Sequence, residues 1–99
     1  MSSKNDKFIW DPDKYLINHQ KHGITFDEAT TVFSDDSAIY LVDNASSDFE
    51  DRFIVIGFSS AANMLMVCHC YRNGDNFVRL ISARKANKAE AKLYLGGKV

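Results

Sequence analysis

The sequence predicts an α+β domain, in which an antiparallel meander sheet carries two packed N-terminal helices and a short C-terminal helix. Three observations lead there. Capped helical segments bounded by Pro and Gly occupy residues 11–33, every apolar segment from 38 to 84 reads as strand, and Asn73-Gly74 divides two of those strands as a hairpin turn. The 99 residues form one domain, 1–99, with residues 1–7 expected to be a flexible N-terminus. A chain of this length buries roughly 60–65% of its unfolded surface, enough for one core.

Phe8-Ile9-Trp10 is a short strand-like opening. Asp11-Pro12 then supplies an N-cap and a proline at the first helical position, and the helix runs to His22 before Gly23 stops it. Thr25-Phe26-Asp27-Glu28 fits a capping box, Thr25 capping and Glu28 reaching back, and that helix is expected to continue to about Phe33. Ala38–Val42 is the next strand, closed by a polar loop at Asp43–Glu50. Arg52–Phe58 follows, and a Ser/Ala/Asn turn leads to Met64–Arg72. After Asn73-Gly74 the strand Asn76–Ala83 should pair antiparallel with its predecessor. Asn87 caps a last helix through Leu95, ended by Gly96-Gly97. The middle strands are apolar on both faces, so either the C-terminal helix or a partner chain should cover the second face.

Composition narrows the function classes. No apolar run approaches the roughly 18 residues of a membrane helix and no signal-peptide core opens the chain, so a cytoplasmic location without membrane contact is expected. The net charge of −1 hides an asymmetry. Residues 1–51 hold four Lys/Arg against eleven Asp/Glu, and residues 52–99 hold eight against two. A polyanion should therefore meet the second half. Cys68-His69-Cys70 looks like a metal motif, but in a strand the cysteines face one side and His69 the other. Neither a metal site nor a cofactor is expected.

Several stretches together resemble a known family. Trp10-Asp11, Lys14, Asn18, Lys21-His22-Gly23-Ile24, Phe26 and Glu28-Ala29 resemble the opening signature of the BrnT toxins, also called DUF497. Glu50, Arg52, Gly57, Arg79-Leu80-Ile81-Ser82-Ala83-Arg84-Lys85-Ala86, Glu90 and Tyr94 are similar to its second signature. The resemblance implies a RelE-like fold and a metal-independent endoribonuclease that inhibits translation. It also implies neutralisation by a BrnA-type ribbon-helix-helix antitoxin, with operator DNA bound only through the complex. One position departs from the pattern: Tyr71 precedes Arg72 where many members carry an acidic residue.

Cutting RNA without a metal requires a base for the 2′-hydroxyl, cationic donors for the phosphorane and an acid for the leaving 5′-oxygen. Arginine suits the donor role because its fork clamps phosphate in a bidentate manner. Arg79, interrupting Phe77–Ile81, and Arg52 are the candidate catalytic arginines, although each could instead lie over the sheet or pair with a neighbouring carboxylate. His22 and Lys21 are the candidate proton carriers, and a basic pair in a last helical turn also serves the helix dipole. Lys14, Asn18, Lys21 and His22 fall along one helical stripe. Trp10, Lys14, Arg72, Arg84 and Tyr94 are candidate RNA contacts, with core packing the alternative for Trp10 and Tyr94. Arg84 follows Arg79 by five positions, so the two share a face only if a bulge re-aims one; otherwise Arg84 belongs to a partner surface or a structural anchor.

Two functional readings stay open. The first is the RNA-cleaving toxin. The second is a catalytically weak or inactive member, an antitoxin-binding module in operon autorepression, which Tyr71 and the acidic balance favour. A plain RNA-binding domain lacks the aromatic strand motifs it would need. Self-association into a homodimer stays open for the chain on its own.

Overall fold

The computed structural model describes residues 7–43 and 51–96. All but Lys7 of the expected flexible opening, the expected polar loop beyond Asp43, and Gly97 lie outside those residues. The elements are β1 (Phe8–Ile9), α1 (Pro12–His22), α2 (Phe26–Thr31), a 3₁₀ turn (Val32–Ser34), β2 (Ile39–Val42), β3 (Phe53–Phe58), β4 (Met64–Arg72), β5 (Phe77–Lys85) and α3 (Lys88–Tyr94). This is the expected α+β class with one correction: the sheet is mixed. β2 to β5 form the antiparallel meander, but the order β1-β5-β4-β3-β2 sets β1 parallel to β5 through Phe8–Val78 and Ile9–Arg79. The meander leaves the outer edge of β5 open, and the segment before α1 fills part of it.

Local chemistry explains the helix ends. Asp11 Oδ1 accepts the Asp13 N–H at 2.8 Å, and Gly23 takes the left-handed φ of 72° that ends α1. Thr25 Oγ1 accepts the Glu28 N–H at 3.1 Å, but the Glu28 carboxylate does not close the expected box. Its Oε2 accepts instead from Ser59 Oγ at 2.6 Å and Asn63 Nδ2 at 2.8 Å, tying α2 to the β3–β4 turn. The segment expected to be helical to Phe33 turns 3₁₀ after Thr31. Asn87 and Glu90 make a complete capping box at α3.

The core lies between α1, α2 and one face of the sheet, where Phe26, Ala29 and Val32 meet Val55, Leu65, Val67, Val78, Leu80 and Ala83. Asn18, buried on α1, closes the part of the β5 edge that β1 does not reach. Its Nδ2 donates to the Ala83 carbonyl at 2.9 Å and its Oδ1 accepts the Ala83 N–H at 3.1 Å. That pair satisfies two backbone groups of a strand edge facing the core. On the other face α3 packs near the end of β3, with Tyr94 edge-on to Phe58 at 5.4 Å. Of the two covers expected for the doubly apolar strands, the C-terminal helix is thus in place there. Gly57 permits the approach of Asp35 to this region, because a Cβ would stand 3.0 Å from Asp35 Oδ2 and 3.1 Å from Ala38 Cβ and Val32 Cγ1.

Candidate functional site

Strand alternation decides which side chains can work together. On β4, Leu65, Val67 and His69 point to the helical core, while Met66, Cys68, Cys70 and Arg72 point away. The cysteines and His69 therefore take opposite faces, as expected, and among the described residues no three His, Cys, Asp or Glu side chains gather as ion ligands. On β5 the pairing steps from His69–Leu80 to Cys68–Ser82, leaving Ile81 as a bulged residue. Val78, Leu80 and Ala83 consequently face the core, and Phe77, Arg79, Ser82 and Arg84 share the opposite face. A regular strand would have turned Ser82 inward and placed Arg84 opposite Arg79.

This opposite face gathers arginines from three strands. Arg79 stands across from Cys70, and Arg72, two residues along β4, is its diagonal neighbour. Alternation from Ile54 brings Arg52 to the same face, where it lies close enough to Cys68 to act on that thiol. Burial, reinforced by Asp43, nevertheless pushes the Cys68 thiol up to about 11. The Arg79 guanidinium makes no hydrogen bond or ion pair among the described residues.

A cleft of about 340 Å³ opens at the outer edge of β5, lined by Lys14, Ile17, Asn18, Lys21, His22, Ile81 and Ser82. Lys14, Lys21 and His22 thus come together on one wall. Ser82, on the other wall, also lies on the arginine face. The bulge makes the cleft and the arginine face continuous at that point. A hollow of about 460 Å³ elsewhere is lined chiefly by hydroxyls and Asp35, whose carboxylate is already bonded to the Phe58 and Ser37 N–H groups and the Tyr94 hydroxyl.

Three other residues singled out in the sequence have structural partners. Arg84 forms a bidentate pair with Glu90, Nη1–Oε1 at 2.9 Å and Nη2–Oε2 at 2.8 Å, which raises the Arg84 pKa and lowers that of Glu90. Tyr94 donates to Asp35 Oδ2 at 2.9 Å, and that bond raises the tyrosine pKa. The Asp35 carboxyl is held low, chiefly by the Phe58 N–H. Both contacts anchor α3. Trp10 meets Phe26 edge-on at 5.5 Å and packs against the core. Sequence reasoning gave no role at the cleft to Ser82; its only signal was a place beside Arg79 and Arg84, because a bulge leaves no trace in hydrophobic alternation.

Residues 10–90 match the family described as "Ribonuclease toxin, BrnT, of type II toxin-antitoxin system". The chain is similar to the 1.1 Å crystal structure of the Brucella abortus ribonuclease toxin, BrnT, with 26% identity and a TM-score of 0.61 over 82% of this chain and 96% of that one. No curated protein matches the chain. Among the described residues no helix is long and apolar enough to cross a membrane.

Proposed function

The chain belongs to the BrnT family of ribonuclease toxins of type II toxin–antitoxin systems, and from that premise we propose that it cleaves RNA without a metal where the arginine face meets the α1 cleft. The observation that carries this reading is the β5 bulge at Ile81, which sets Arg79 and the cleft residue Ser82 on one face. Arg79 and Arg72 bind the scissile phosphate and stabilise the charge that builds on its non-bridging oxygens. The RNA 2′-oxygen attacks phosphorus and the bond to the 5′-oxygen breaks. His22, with Lys21 beside it, carries the proton from the 2′-hydroxyl towards the leaving 5′-oxygen. Arg52 extends the cationic surface along the strand, and Lys14 lies where it can hold a flanking phosphate.

Cutting RNA this way would arrest translation. A BrnA-type ribbon-helix-helix antitoxin would neutralise the toxin and carry the complex to operator DNA; the support for this partner is membership of a type II system. The deciding experiment is RNA cleavage by purified protein in excess EDTA, beside an Arg79→Ala preparation made identically. The wild type should cut, and the variant should lose roughly a hundredfold in rate, the scale of one lost transition-state donor. Equal cleavage by both would move the site away from Arg79. No cleavage by either, with antitoxin binding intact, would make the protein a binding module.

A further inference from the structure

The outer edge of β2 is built to accept a strand. β2 ends the sheet, and among the described residues it has no neighbour on its far side. The Asp43 N–H bonds to the Arg52 carbonyl, and the register pairs Leu41 with Ile54 and Ile39 with Ile56. Antiparallel alternation then makes Asp43, Leu41 and Ile39 the residues bonded to β3. The N–H and C=O groups of Tyr40 and Val42 point outward. The side chains there are apolar yet exposed on both faces: Tyr40 by 50%, Leu41 by 36% and Val42 by 63%. Edge strands are commonly protected by lysine, proline or a bulge, and Ile39–Val42 has none of these.

Charge selects the occupant. Asp35 and the exposed Asp36 precede the strand, whereas Asp43, which follows it, stands across from Arg52 and accepts from the Cys68 thiol. Ile39–Val42 carries no cation, so a second copy pairing through Tyr40 and Val42 would bring none from its own β2 to answer Asp36. An extended segment with a basic residue at that end meets opposite charge instead. We infer that the antitoxin docks on this toxin by adding such an extended segment, basic at its Asp36 end, to the outer edge of β2. The inference rests on membership of a type II toxin family, which implies an antitoxin, and is independent of where RNA is cut. Backbone bonds at Tyr40 and Val42 supply the pairing, and the exposed apolar side chains give the added strand something to cover.

The test is amide hydrogen exchange on the full chain, alone and bound to the antitoxin encoded beside it, together with the affinity of two variants. Val42→Pro removes an outward N–H that β3 does not use, so the internal ladder should survive. Its thermal transition should match the wild type, while antitoxin affinity falls about tenfold, the effect of one lost hydrogen bond with its partner left unpaired. Asp36→Lys, at an exposed position, should weaken binding about threefold at low salt and by less at high salt. In the complex the Tyr40 and Val42 amides should gain protection. Unchanged protection and unchanged affinity would overturn the proposal. So would protection already present in the free chain, which would identify a second copy if it rises with protein concentration and a segment of the same chain if it does not. None of these readouts involves RNA, so a failure here is distinct from a failure of the nuclease reading.

Discussion

His69 has no exposed surface and lies among the rings of Phe33, Tyr40, Phe53 and Tyr71. Its Nδ1 donates to the Val67 carbonyl at 3.3 Å, and Nε2 has no hydrogen-bond partner among the described residues. Burial holds its pKa below the ordinary 6.5, and the neighbouring tyrosines, raised by their own burial, stay neutral at mildly acid pH. Between the folded pKa and 6.5 the unfolded chain therefore binds more protons. Stability should be full above 6.5 and fall as pH drops through the interval down to the folded pKa. Urea midpoints at about pH 7.5 and pH 5.5 should show the decline. His69→Phe, apolar and close in size, should flatten that part of the profile. Asp35 and Glu90, held below 3.8 and 4.5, act only at lower pH. The thiol of Cys68, at about 11 against an ordinary 9.0, makes a second residue-scale prediction. At about pH 8 alkylation followed by mass spectrometry should be roughly a hundredfold slower in the native protein than in urea, because the thiolate is the reactive form. Equal rates would mean that this part of the arginine face opens readily to solvent.

At the scale of elements, α3 depends on two polar anchors, since none of its residues is fully buried. Glu90→Gln keeps the shape of its cap but removes the charge that Arg84 grips. The partly exposed pair should be worth about 1 kcal/mol, and hydrogen exchange should show α3 losing protection before the core strands do. Simultaneous loss across β4 and β5 would mean instead that α3 unfolds only with the whole domain. The contrast between α3 and β5 explains what could be read in advance. Asp11-Pro12, Gly23, Thr25, Asn73-Gly74 and Asn87 announce their turns and caps through their own capping groups or backbone preferences, so the order of elements was legible. The parallel pairing of β1 with β5, the redirection of Glu28 and the bulge at Ile81 depend on residues far away in the chain. The bulge is a register choice shared by two strands, and Asn18 reaches across from α1 to bond Ala83 just beyond it. For that reason Arg79 was legible as a candidate while its continuity with the α1 cleft was not. Arg84 was legible as a cation, but only the fold shows Glu90 in its grip.

For the whole molecule, the question is whether a chain of net charge −1 can bind a polyanion. The fold answers through placement: Arg52, Arg72 and Arg79 lie on the sheet face turned away from α1 and α2, and Lys14 and Lys21 flank the cleft beside it. If RNA binds here as proposed, cations concentrated in this way would attract it locally, with an affinity set by counterion release and therefore by salt. For a short single-stranded RNA, each neutralised phosphate should add about 0.7 to the steepness of log K against log salt. Arg79→Ala should weaken binding and reduce that steepness by about 0.7, because its guanidinium is not committed within the described fold. Arg84→Ala should leave the slope unchanged, because Glu90 already neutralises it in a bidentate pair. Comparing the two at a temperature where both variants are folded separates an arginine that meets phosphate from one that holds α3. If Arg84→Ala flattened the slope and Arg79→Ala did not, the RNA path would run over α3 and away from the cleft. Were neither to change it, RNA would be bound on another face of the molecule.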